Sequence, residues 1–242
     1  MKAIILAAGY ATRLYPLTLD TPKPLLPMGK KVILDFVLEK LKELPLINEV
    51  FVVTNNKFAS QFEAWARTKH SFHLTVVNDG TTSNENRLGS LGDIRYVIQK
   101  YELDEDLLVI AGDNVFDFSL KPVSQIFDQT KSPTVLLYDV GSKDLAKLYG
   151  VVSVDFHQKI TRFEEKPANP ASTYISTAIY FYPQSVLTTF LEFTKTHGTD
   201  RAGDFLAWLS SHEDTYGILA EGKWFDIGDR EQLEAAREVF GK

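Results

Sequence analysis

Cysteine is absent from the chain, and so are long hydrophobic runs. Without cysteine, disulfide bonds and zinc–thiolate sites are excluded. No apolar run approaches the roughly 18 residues of a membrane-spanning helix, so we expect no membrane partner. Positive charge is not in excess, because 26 Lys and Arg stand against 32 Asp and Glu, for a net charge of −6. We therefore expect no nucleic-acid partner either.

The chain has an ordinary globular composition, with 44% hydrophobic and 24% charged residues among its 242 residues. This length suits one large domain or two small ones, and it can bury a core without disulfide bonds. Near the N-terminus, Lys2 precedes the apolar stretch 3–8, which is shorter than the apolar core of most signal peptides. We interpret this stretch as a buried strand, and we expect the protein to be cytoplasmic.

Short apolar strands alternate with amphipathic helices through the first half of the chain. The run from Ala3 to Ala7 is followed by Gly9, as expected for a parallel strand buried on both faces. Further strands are predicted at 50–54, 72–78 and 107–111, and helices at 33–44, 57–68 and 88–98. This alternation implies right-handed βαβ units and an α/β fold with a mostly parallel sheet.

The pattern changes after residue 130, where strands follow one another with less helix between them. Strands are predicted at 135–140, 151–154, 160–164 and 175–182, and helices near 184–195 and 203–212. The second and third of these strands form a predicted hairpin. Asp229, with Gln232 three residues later, indicates the start of a last helix. We expect one domain, residues 1–242, with two lobes at 1–130 and 131–242.

A first candidate site follows the first strand, in the segment Ala7-Ala8-Gly9-Tyr10-Ala11-Thr12-Arg13-Leu14. Small residues let backbone N–H groups approach a phosphate closely, and Arg13 offers a fork of donors. For this segment alone, a tight turn with a surface Arg is the commoner interpretation. The chain contains neither a Walker A string nor a Gly-x-Gly-x-x-Gly string.

Five other charged residues are candidates, and most have a simpler interpretation as well. Lys23 lies between two prolines that stiffen its loop, although a solvated Lys is the commoner case. Asp113 follows an apolar strand, where α/β sheets bind ligands, but an Asp there can also cap a turn. Asp226 alternates with apolar neighbours and would point alone to one side of a strand. Glu165 and Lys166 close the predicted hairpin, either as solvated charges or as ligands for a hydroxyl and a phosphate.

In their order along the chain, five segments resemble those of the sugar-1-phosphate nucleotidylyltransferases, of the glucose-1-phosphate thymidylyltransferase or uridylyltransferase type. They are Leu6-Ala7-Ala8-Gly9 to Thr12-Arg13-Leu14, Pro22-Lys23-Pro24-Leu25-Leu26-Pro27, Gly112-Asp113, Phe163-Glu164-Glu165-Lys166-Pro167 and Trp224-Phe225-Asp226-Ile227-Gly228. The resemblance covers nearly the whole chain. It implies a Rossmann-like, three-layer nucleotidyltransferase fold with a mostly parallel mixed sheet. Some relatives carry a β-helix of hexapeptide repeats, and because this sequence has none we expect a short form.

The resemblance also implies a role for each lobe and each site residue. Residues 1–130 would form the nucleotide-binding lobe and 131–242 the sugar-phosphate-binding lobe. The nucleotide would be held by Leu6, Ala8, Gly9, Thr12, Arg13, Lys23, Asn84 and Gly89. The sugar phosphate would be held by Gly150, Glu165, Lys166 and Thr177, and Mg²⁺ by Asp113 and Asp226. Catalysis, by positioning and charge neutralisation without a covalent protein nucleophile, would depend on Arg13, Lys23, Asp113 and Lys166.

Several positions depart from the family pattern. Ala11 and Ala178 stand where relatives have Gly, and we expect Ala11 to keep a negative φ and the Ala178 methyl to narrow the sugar pocket. Asn84 lies five residues before Gly89, where relatives that read uracil or thymine carry the longer Gln. The base is therefore left open among those of dTTP, UTP and CTP. The small residues from Gly89 to Gly92 are consistent with a ligand near the start of the next helix.

Two other functions remain compatible with the sequence. A cytidylyltransferase for a non-sugar phosphate, such as phosphocholine or a polyol phosphate, is suggested by Ala178 and by the loop around Asn84. A non-catalytic nucleotide-sugar sensor is disfavoured, because Arg13, Lys23 and Asp113 are all present. The expected partners are a nucleoside triphosphate and a sugar-1-phosphate. The oligomeric state stays open, and a homo-oligomer is one of the alternatives.

Overall fold

A nine-stranded mixed sheet runs through the computed structural model, which describes residues 1–241. The strands within these residues are β1 Lys2–Leu6, β2 Pro27–Met28, β3 Lys31–Val32, β4 Glu49–Thr54, β5 His73–Asn78, β6 Leu107–Ala111, β7 Asn114–Phe116, β8 Thr134–Asp139, β9 Gly150–Val154, β10 Ile160–Glu165, β11 Tyr174–Tyr182, β12 Tyr216–Leu219 and β13 Trp224–Asp226. Four of them, β2, β3, β7 and β13, lie outside the nine-stranded sheet and form two separate pairs. The helices are α1 Ile33–Leu41, α2 Ala59–Ala66, α3 Ser90–Lys100, α4 Lys121–Thr130, α5 Lys143–Ala146, α6 Leu187–Thr196, α7 Ala202–Leu209 and α8 Arg230–Phe240.

The sheet has the order β10-β9-β11-β6-β1-β4-β5, with β8 paired to β11 and β12 paired to β8. Strand β1 pairs in parallel with β4 and β6, and β4 pairs in parallel with β5. Strand β11 runs antiparallel to β6, β8 and β9, and β9 with β10 forms the hairpin that the sequence predicts. The carboxyl ends of β1, β4, β5 and β6 therefore meet at one edge of the sheet, where ligands bind in this class of fold.

Alternation along β1 divides the hydrophobic core between the two faces of the sheet. Ala3 and Ile5 belong to a cluster with α1, α2 and α4, whereas Ile4 belongs to a cluster with α3, α6 and α7. All three side chains are fully buried, as expected for a strand that helices cover on both faces. The fold is the three-layer α/β arrangement that the sequence predicts.

A separate antiparallel pair, β7 with β13, joins two distant parts of the chain. Asp226 pairs with Asn114 across this ladder. The Asn114 side chain accepts a hydrogen bond from the Trp224 indole at 3.1 Å and donates one to the Thr177 carbonyl at 2.7 Å. Because Asn114 is buried, these bonds satisfy its amide and fix the ladder. Asp113, which precedes Asn114, is thereby brought close to Asp226.

Strand β7, helix α4 and strand β12 have no counterpart in the sequence predictions. Helix α4 begins with Lys121 and Pro122 and buries only Val123 and Phe127. Two buried apolar residues are too few to give a recognisable helical periodicity of hydrophobic positions. Strand β12 has only four residues and joins the sheet in parallel with β8. None of the helices within residues 1–241 combines the length and apolar character needed to cross a bilayer.

Candidate active site

A cleft of about 530 Å³ opens at the carboxyl edge of the parallel strands. Every residue that the sequence predicts for the site lines this cleft. They are Leu6, Ala8, Gly9, Thr12, Arg13, Lys23, Asn84, Gly89, Asp113, Gly150, Glu165, Lys166, Thr177 and Asp226. The fold therefore brings together residues that are up to 220 positions apart in the sequence, while the role of each one stays a prediction.

The order of the strands sets the order of the groups along the cleft. Asp79 directly follows β5, and Glu165 ends β10; these two strands stand at opposite ends of the order β10-β9-β11-β6-β1-β4-β5. Asp113 follows β6, which lies between them. We call the part of the cleft around Asp79, Asn84 and Gly89 the β5 end, and the part around Glu165 the β10 end.

The loop after β1 is held in place by the neighbouring strand. The Ala7 amide donates to the Val53 carbonyl at 2.9 Å, and the buried Asn55 side chain donates to the Ala8 carbonyl at 2.8 Å. Gly9 lies against open space, so the backbone at this turn is accessible from the cleft. This is the environment that close backbone contact with a ligand requires.

Two cationic side chains approach the middle of the cleft from short helical turns. Arg13 lies in the turn Thr12–Leu14 and is exposed, with its guanidinium beside Gly228. Lys23 begins the turn Lys23–Leu25, and its Nζ contacts the Asp113 carboxylate at 2.5 Å. The Lys23 side chain is 15% exposed and lines the cleft, so its ammonium is within reach of an anion bound there.

Asp113 and Asp226 form a pair of acids at the middle of the cleft. Burial raises the pKa of Asp226 to about 6, and the negative charge of Asp113 adds to the rise. The positive charges of Lys23 and Arg13 act in the opposite direction and hold it down. The two carboxylates repel each other, and this repulsion destabilises the protein when no cation is bound. A bound cation would relieve it.

The β10 end is built around the Glu165 carboxylate. Burial raises the pKa of Glu165, and the positive charges of Arg201 and Lys166 oppose that rise. One carboxylate oxygen lies 3.0 Å from the point where a Cβ on Gly150 would stand, and 3.1 Å from the same point on Gly203. The absence of a side chain at both glycines thus makes room for the acid. Lys166, which follows it, is exposed toward solvent.

Three expectations for individual residues need correction or narrowing. Ala11 has a positive φ of 48° rather than the negative value expected, and Ala178 is also left-handed, with a φ of 58°. Both alanines therefore keep the backbone conformation that a Gly would adopt more easily. The Thr177 hydroxyl donates to the Leu136 carbonyl at 2.8 Å, and the residue is buried. Only the backbone of Thr177 is thus available to the cleft.

Ala178→Gly should relieve local strain at the β10 end, where the register of β11 against β8 shifts between Ser176 and Tyr180. We expect a gain of about 1 kcal/mol, since a left-handed Ala costs roughly that amount. The matched change Ala11→Gly should give a similar gain at a different place. Thermal unfolding measures both. A loss of stability in the two variants would mean that neither backbone is strained.

The start of helix α3 is occupied by the protein itself. The amides of Ser90 and Leu91 donate to the carbonyls of Asp200 and Thr199 at 3.0 and 2.9 Å. At Gly89, whose φ is +79°, a Cβ would stand only 2.4 Å from the Thr199 carbonyl oxygen. The small residues that suggested a ligand at this helix start are therefore explained by close packing of the 199–200 backbone.

Gly89→Ala should consequently destabilise the fold by about 2–4 kcal/mol, because a methyl would collide with backbone that cannot rotate away. Gly80→Ala is a matched control: its φ is +82°, but nothing lies within 4 Å of the added Cβ. That control should cost only about 1 kcal/mol of conformational strain. Chemical denaturation compares the two variants, and equal losses would contradict the packing explanation.

Several residues of the cleft were missed by sequence reasoning. Asp79 and Asp93 lie at the β5 end, with Tyr10 beside them, and Tyr149 and Trp224 line the cleft nearer the β10 end. Asp79 could have been found, because it directly follows a predicted strand at the carboxyl edge of the sheet. Asp93 gave no signal, since a polar residue in an amphipathic helix ordinarily faces solvent.

Known proteins are similar to this chain over nearly its whole length. A family model described as nucleotidyl transferase matches residues 2–240. The chain is 29% identical over 240 residues to a UTP–glucose-1-phosphate uridylyltransferase from Synechocystis sp., covering 94% of this chain and 60% of that protein. It is 30% identical over 250 residues to the bifunctional protein GlmU from Methanocaldococcus jannaschii, covering 100% of this chain and 55% of that protein. The chain thus spans 55–60% of the length of these curated relatives.

Solved structures show the same fold over nearly the whole chain. A Bacillus anthracis chain assigned as a glucose-1-phosphate thymidylyltransferase, in complex with sucrose, superposes with a TM-score of 0.82 at 26% identity, covering 100% of this chain and 96% of that one. A UDP-glucose pyrophosphorylase complexed with UDP-glucose superposes with a TM-score of 0.83 at 19% identity, covering 99% and 97%. Because the nucleotidyl transferase family model matches residues 2–240, nearly the whole chain, the protein belongs to the nucleotidyl transferase family.

Proposed function

We propose that the protein transfers a nucleotidyl group from a nucleoside triphosphate (dTTP, UTP or CTP) to a sugar-1-phosphate in the cytoplasm, with Mg²⁺ and release of pyrophosphate. The observation that carries this proposal is the line of charges along the cleft. Arg13 and Lys23 stand near the acids Asp113 and Asp226, and Lys166 stands toward the β10 end. The named activities of the uridylyltransferase and thymidylyltransferase relatives support the same reaction class.

In this reaction a phosphate oxygen of the acceptor attacks the α-phosphorus of the triphosphate in line. The bond from the α-phosphorus to the bridging oxygen breaks, and pyrophosphate leaves with that electron pair. Arg13 binds the β- and γ-phosphates, Lys23 binds the α-phosphate region, and Lys166 binds the acceptor phosphate. No covalent protein nucleophile is needed, because such transfers depend mainly on positioning and charge neutralisation.

The residues at the middle of the cleft fit a magnesium ion. Asp113 and Asp226 offer hard carboxylate oxygens, and their mutual repulsion is what a divalent cation would remove. No three Asp, Glu or His side chains converge as a metal-binding group anywhere in residues 1–241. Phosphate oxygens and water would therefore complete the coordination, as is usual for Mg²⁺. When bound, the ion would neutralise charge on the phosphates.

A different acceptor is the second candidate, and Ala178 is the observation that favours it. Its methyl lines the cleft at the β10 end, where relatives with Gly would have more room. Glu165 is also partly deprived of solvent there and carries a raised pKa. A compact acceptor, such as phosphocholine or a polyol phosphate, would suit this narrower end with CTP as the nucleotide.

Pyrophosphate release from a grid of substrates tests the proposal. Each common nucleoside triphosphate is paired with several sugar-1-phosphates and with phosphocholine, with Mg²⁺ and then with a chelator. We expect one pair, or a few related pairs, to turn over only when the metal is present. Turnover with phosphocholine alone would favour the second candidate. No turnover, together with tight binding of a nucleotide sugar, would instead indicate a non-catalytic sensor.

A further inference from the structure

Two buried acids meet at the β5 end of the cleft, on the side away from Glu165. Asp79 follows β5, and Asp93 lies in the first turns of α3. The two residues are 8% and 6% exposed, yet both line the cleft. If the acceptor lies at the β10 end and the phosphates at the middle, as in the proposed function, the nucleobase must lie here. The inference below therefore rests on that proposed function.

The two carboxyls cannot both be ionised without leaving buried atoms unsatisfied. Asp79 Oδ1 accepts hydrogen bonds from the Thr81 amide and hydroxyl, both at 2.7 Å. Asp79 Oδ2 and Asp93 Oδ1 are buried and have no donor within residues 1–241. Burial, the charge of Asp79 and a hydrogen bond between the two carboxyls raise the pKa of Asp93 to about 8. One proton shared by the pair satisfies both atoms.

A third polar group at the same place also lacks a partner. The Tyr10 hydroxyl is buried and makes no hydrogen bond of normal geometry within residues 1–241, although the Thr81 hydroxyl is close to it. The residue lines the cleft and is 6% exposed. Burial raises the pKa of Tyr10, the Thr81 hydroxyl opposes this rise and the charge of Asp79 adds to it, so the Tyr10 hydroxyl stays neutral. Buried polar atoms without partners are rare in native proteins and often mark a ligand site.

We propose that Asp79 and Asp93, assisted by Tyr10, bind the exocyclic amino group of the nucleobase, so that the cleft prefers cytosine or an amino-bearing purine to uracil and thymine. The pair holds one proton and one negative charge, and the proton is used between the two acids. Asp93 Oδ2 is the oxygen of the pair that remains for a ligand, since Asp79 Oδ1 is bonded to Thr81 and the other two oxygens share the proton. The Tyr10 hydroxyl can turn its own proton to the negatively charged pair and accept from the ligand as well. An amino group donates to these acceptor oxygens, whereas the 4-oxo group of uracil or thymine would place oxygen against oxygen.

The alternative of turning the shared proton toward a 4-oxo group is disfavoured by the same contacts. If Asp93 donated to the base, Asp79 Oδ2 would lose its only donor while buried and charged. The penalty for such an atom corresponds to roughly a 10- to 100-fold loss of affinity. We therefore expect the amino-bearing base of a matched pair to bind about 10- to 100-fold more tightly.

Equilibrium binding tests this without requiring turnover. Dissociation constants are measured at pH 7 by titration calorimetry for CTP against UTP, and for GTP against ITP, which lacks only the 2-amino group. The wild-type chain should favour the amino-bearing member of whichever pair it binds. Asp93→Ala should bring that ratio close to one. Asp93→Asn should retain most of it, because its amide can donate to Asp79 and still offer an oxygen.

Glu85→Ala is the matched control, because Glu85 is an exposed acid on the same loop and does not line the cleft. It should leave the binding ratios unchanged. Circular dichroism checks that each variant is folded. If Asp93→Ala fails to fold, Tyr10→Phe replaces it, since that change removes one hydroxyl and should lower the ratio several-fold.

The outcomes separate this inference from the proposed function. If triphosphates bind but UTP or dTTP equals or exceeds CTP, and GTP does not exceed ITP, the amino-group preference is wrong and nucleotidyl transfer stands. An amino preference that persists unchanged in Asp93→Ala, or in the replacement Tyr10→Phe, would mean that other groups read the base. If no triphosphate binds at millimolar concentration, the proposed function fails and this inference fails with it.

Discussion

Asp226→Asn and Asp113→Asn should each lower kcat/KM for pyrophosphate release by about a thousandfold, equivalent to about 4 kcal/mol of transition-state stabilisation. Asparagine keeps the volume and one oxygen of each side chain but removes the negative charge. The two carboxylates are the candidate magnesium ligands at the middle of the cleft, and a neutral amide is a much poorer ligand for a hard divalent cation. Steady-state assays on the productive substrate pair give the measurement.

At Asp226 the loss of activity should occur without loss of stability. Burial and the charge of Asp113 raise the pKa of Asp226 to about 6. The ionised form of Asp226 at pH 7 therefore destabilises the protein when no cation is bound. A neutral residue should therefore leave the melting temperature equal to that of the wild type or higher. If the chain instead melts at a lower temperature in proportion to its lost activity, Asp226 serves the fold rather than the reaction.

Asp229→Asn provides the control for this pair of variants. Asp229 is exposed and caps helix α8, where its carboxylate accepts from the Gln232 amide at 2.9 Å. Asparagine caps a helix about as well as aspartate, so both activity and stability should stay near wild type. Near-wild-type rates in Asp113→Asn and Asp226→Asn as well would rule out the metal assignment.

The parts of the structure that sequence reasoning predicted are those specified by local signals. The apolar run of β1, the hairpin of β9 with β10 and the Asp229 cap each depend on neighbouring residues. The ladder of β7 with β13 does not: it joins Asn114 to Asp226 across more than a hundred positions. Only the resemblance to known relatives put Asp113 and Asp226 in one site, because no periodicity connects them.

The features of the site that sequence reasoning did not predict also have physical causes. A positive φ at Ala11 leaves no mark on the sequence, since Ala is common in both helices and turns. The small residues around Gly89 make room for the 199–200 backbone, and a close protein segment leaves the same signal as a close ligand. Asp93 was missed because it is buried beside Asp79 only in the folded chain, whereas a polar residue of an amphipathic helix ordinarily faces solvent.

Asp93 should also make the stability of the fold depend on pH. Its pKa is about 8 in the folded protein and about 4 in the unfolded chain. Between these values the folded protein holds a proton that the unfolded chain has lost. Stability from this group is therefore fully present below about pH 4 and decreases as the pH rises toward about 8, by up to about 1.4 kcal/mol per pH unit. Of the neighbouring groups, Asp79 and Tyr10 are buried beside it, whereas Glu85 and Arg87 are exposed.

Asp93→Asn should remove this dependence, since the amide never ionises and can still donate to Asp79. Between pH 5 and pH 8 the stability of the variant should rise relative to that of the wild type by about 3–4 kcal/mol. For a chain of this length that is a difference of about 10 °C in melting temperature. Urea denaturation at pH 5, 6, 7 and 8 measures the divergence between the two chains.

Glu85→Gln should behave in the opposite direction. The pKa of Glu85 is lowered by the hydrogen bond from the Ser83 hydroxyl, so its contribution appears above its unfolded pKa and the glutamine variant loses it there. The change in helix α3 and the change in the loop before it thus have opposite signs, which separates a buried shared proton from a general effect of removing negative charge. If Asp93→Asn and the wild type keep a constant difference from pH 5 to 8, the two acids share no proton. The base-binding arrangement inferred from that proton would then lose its physical basis.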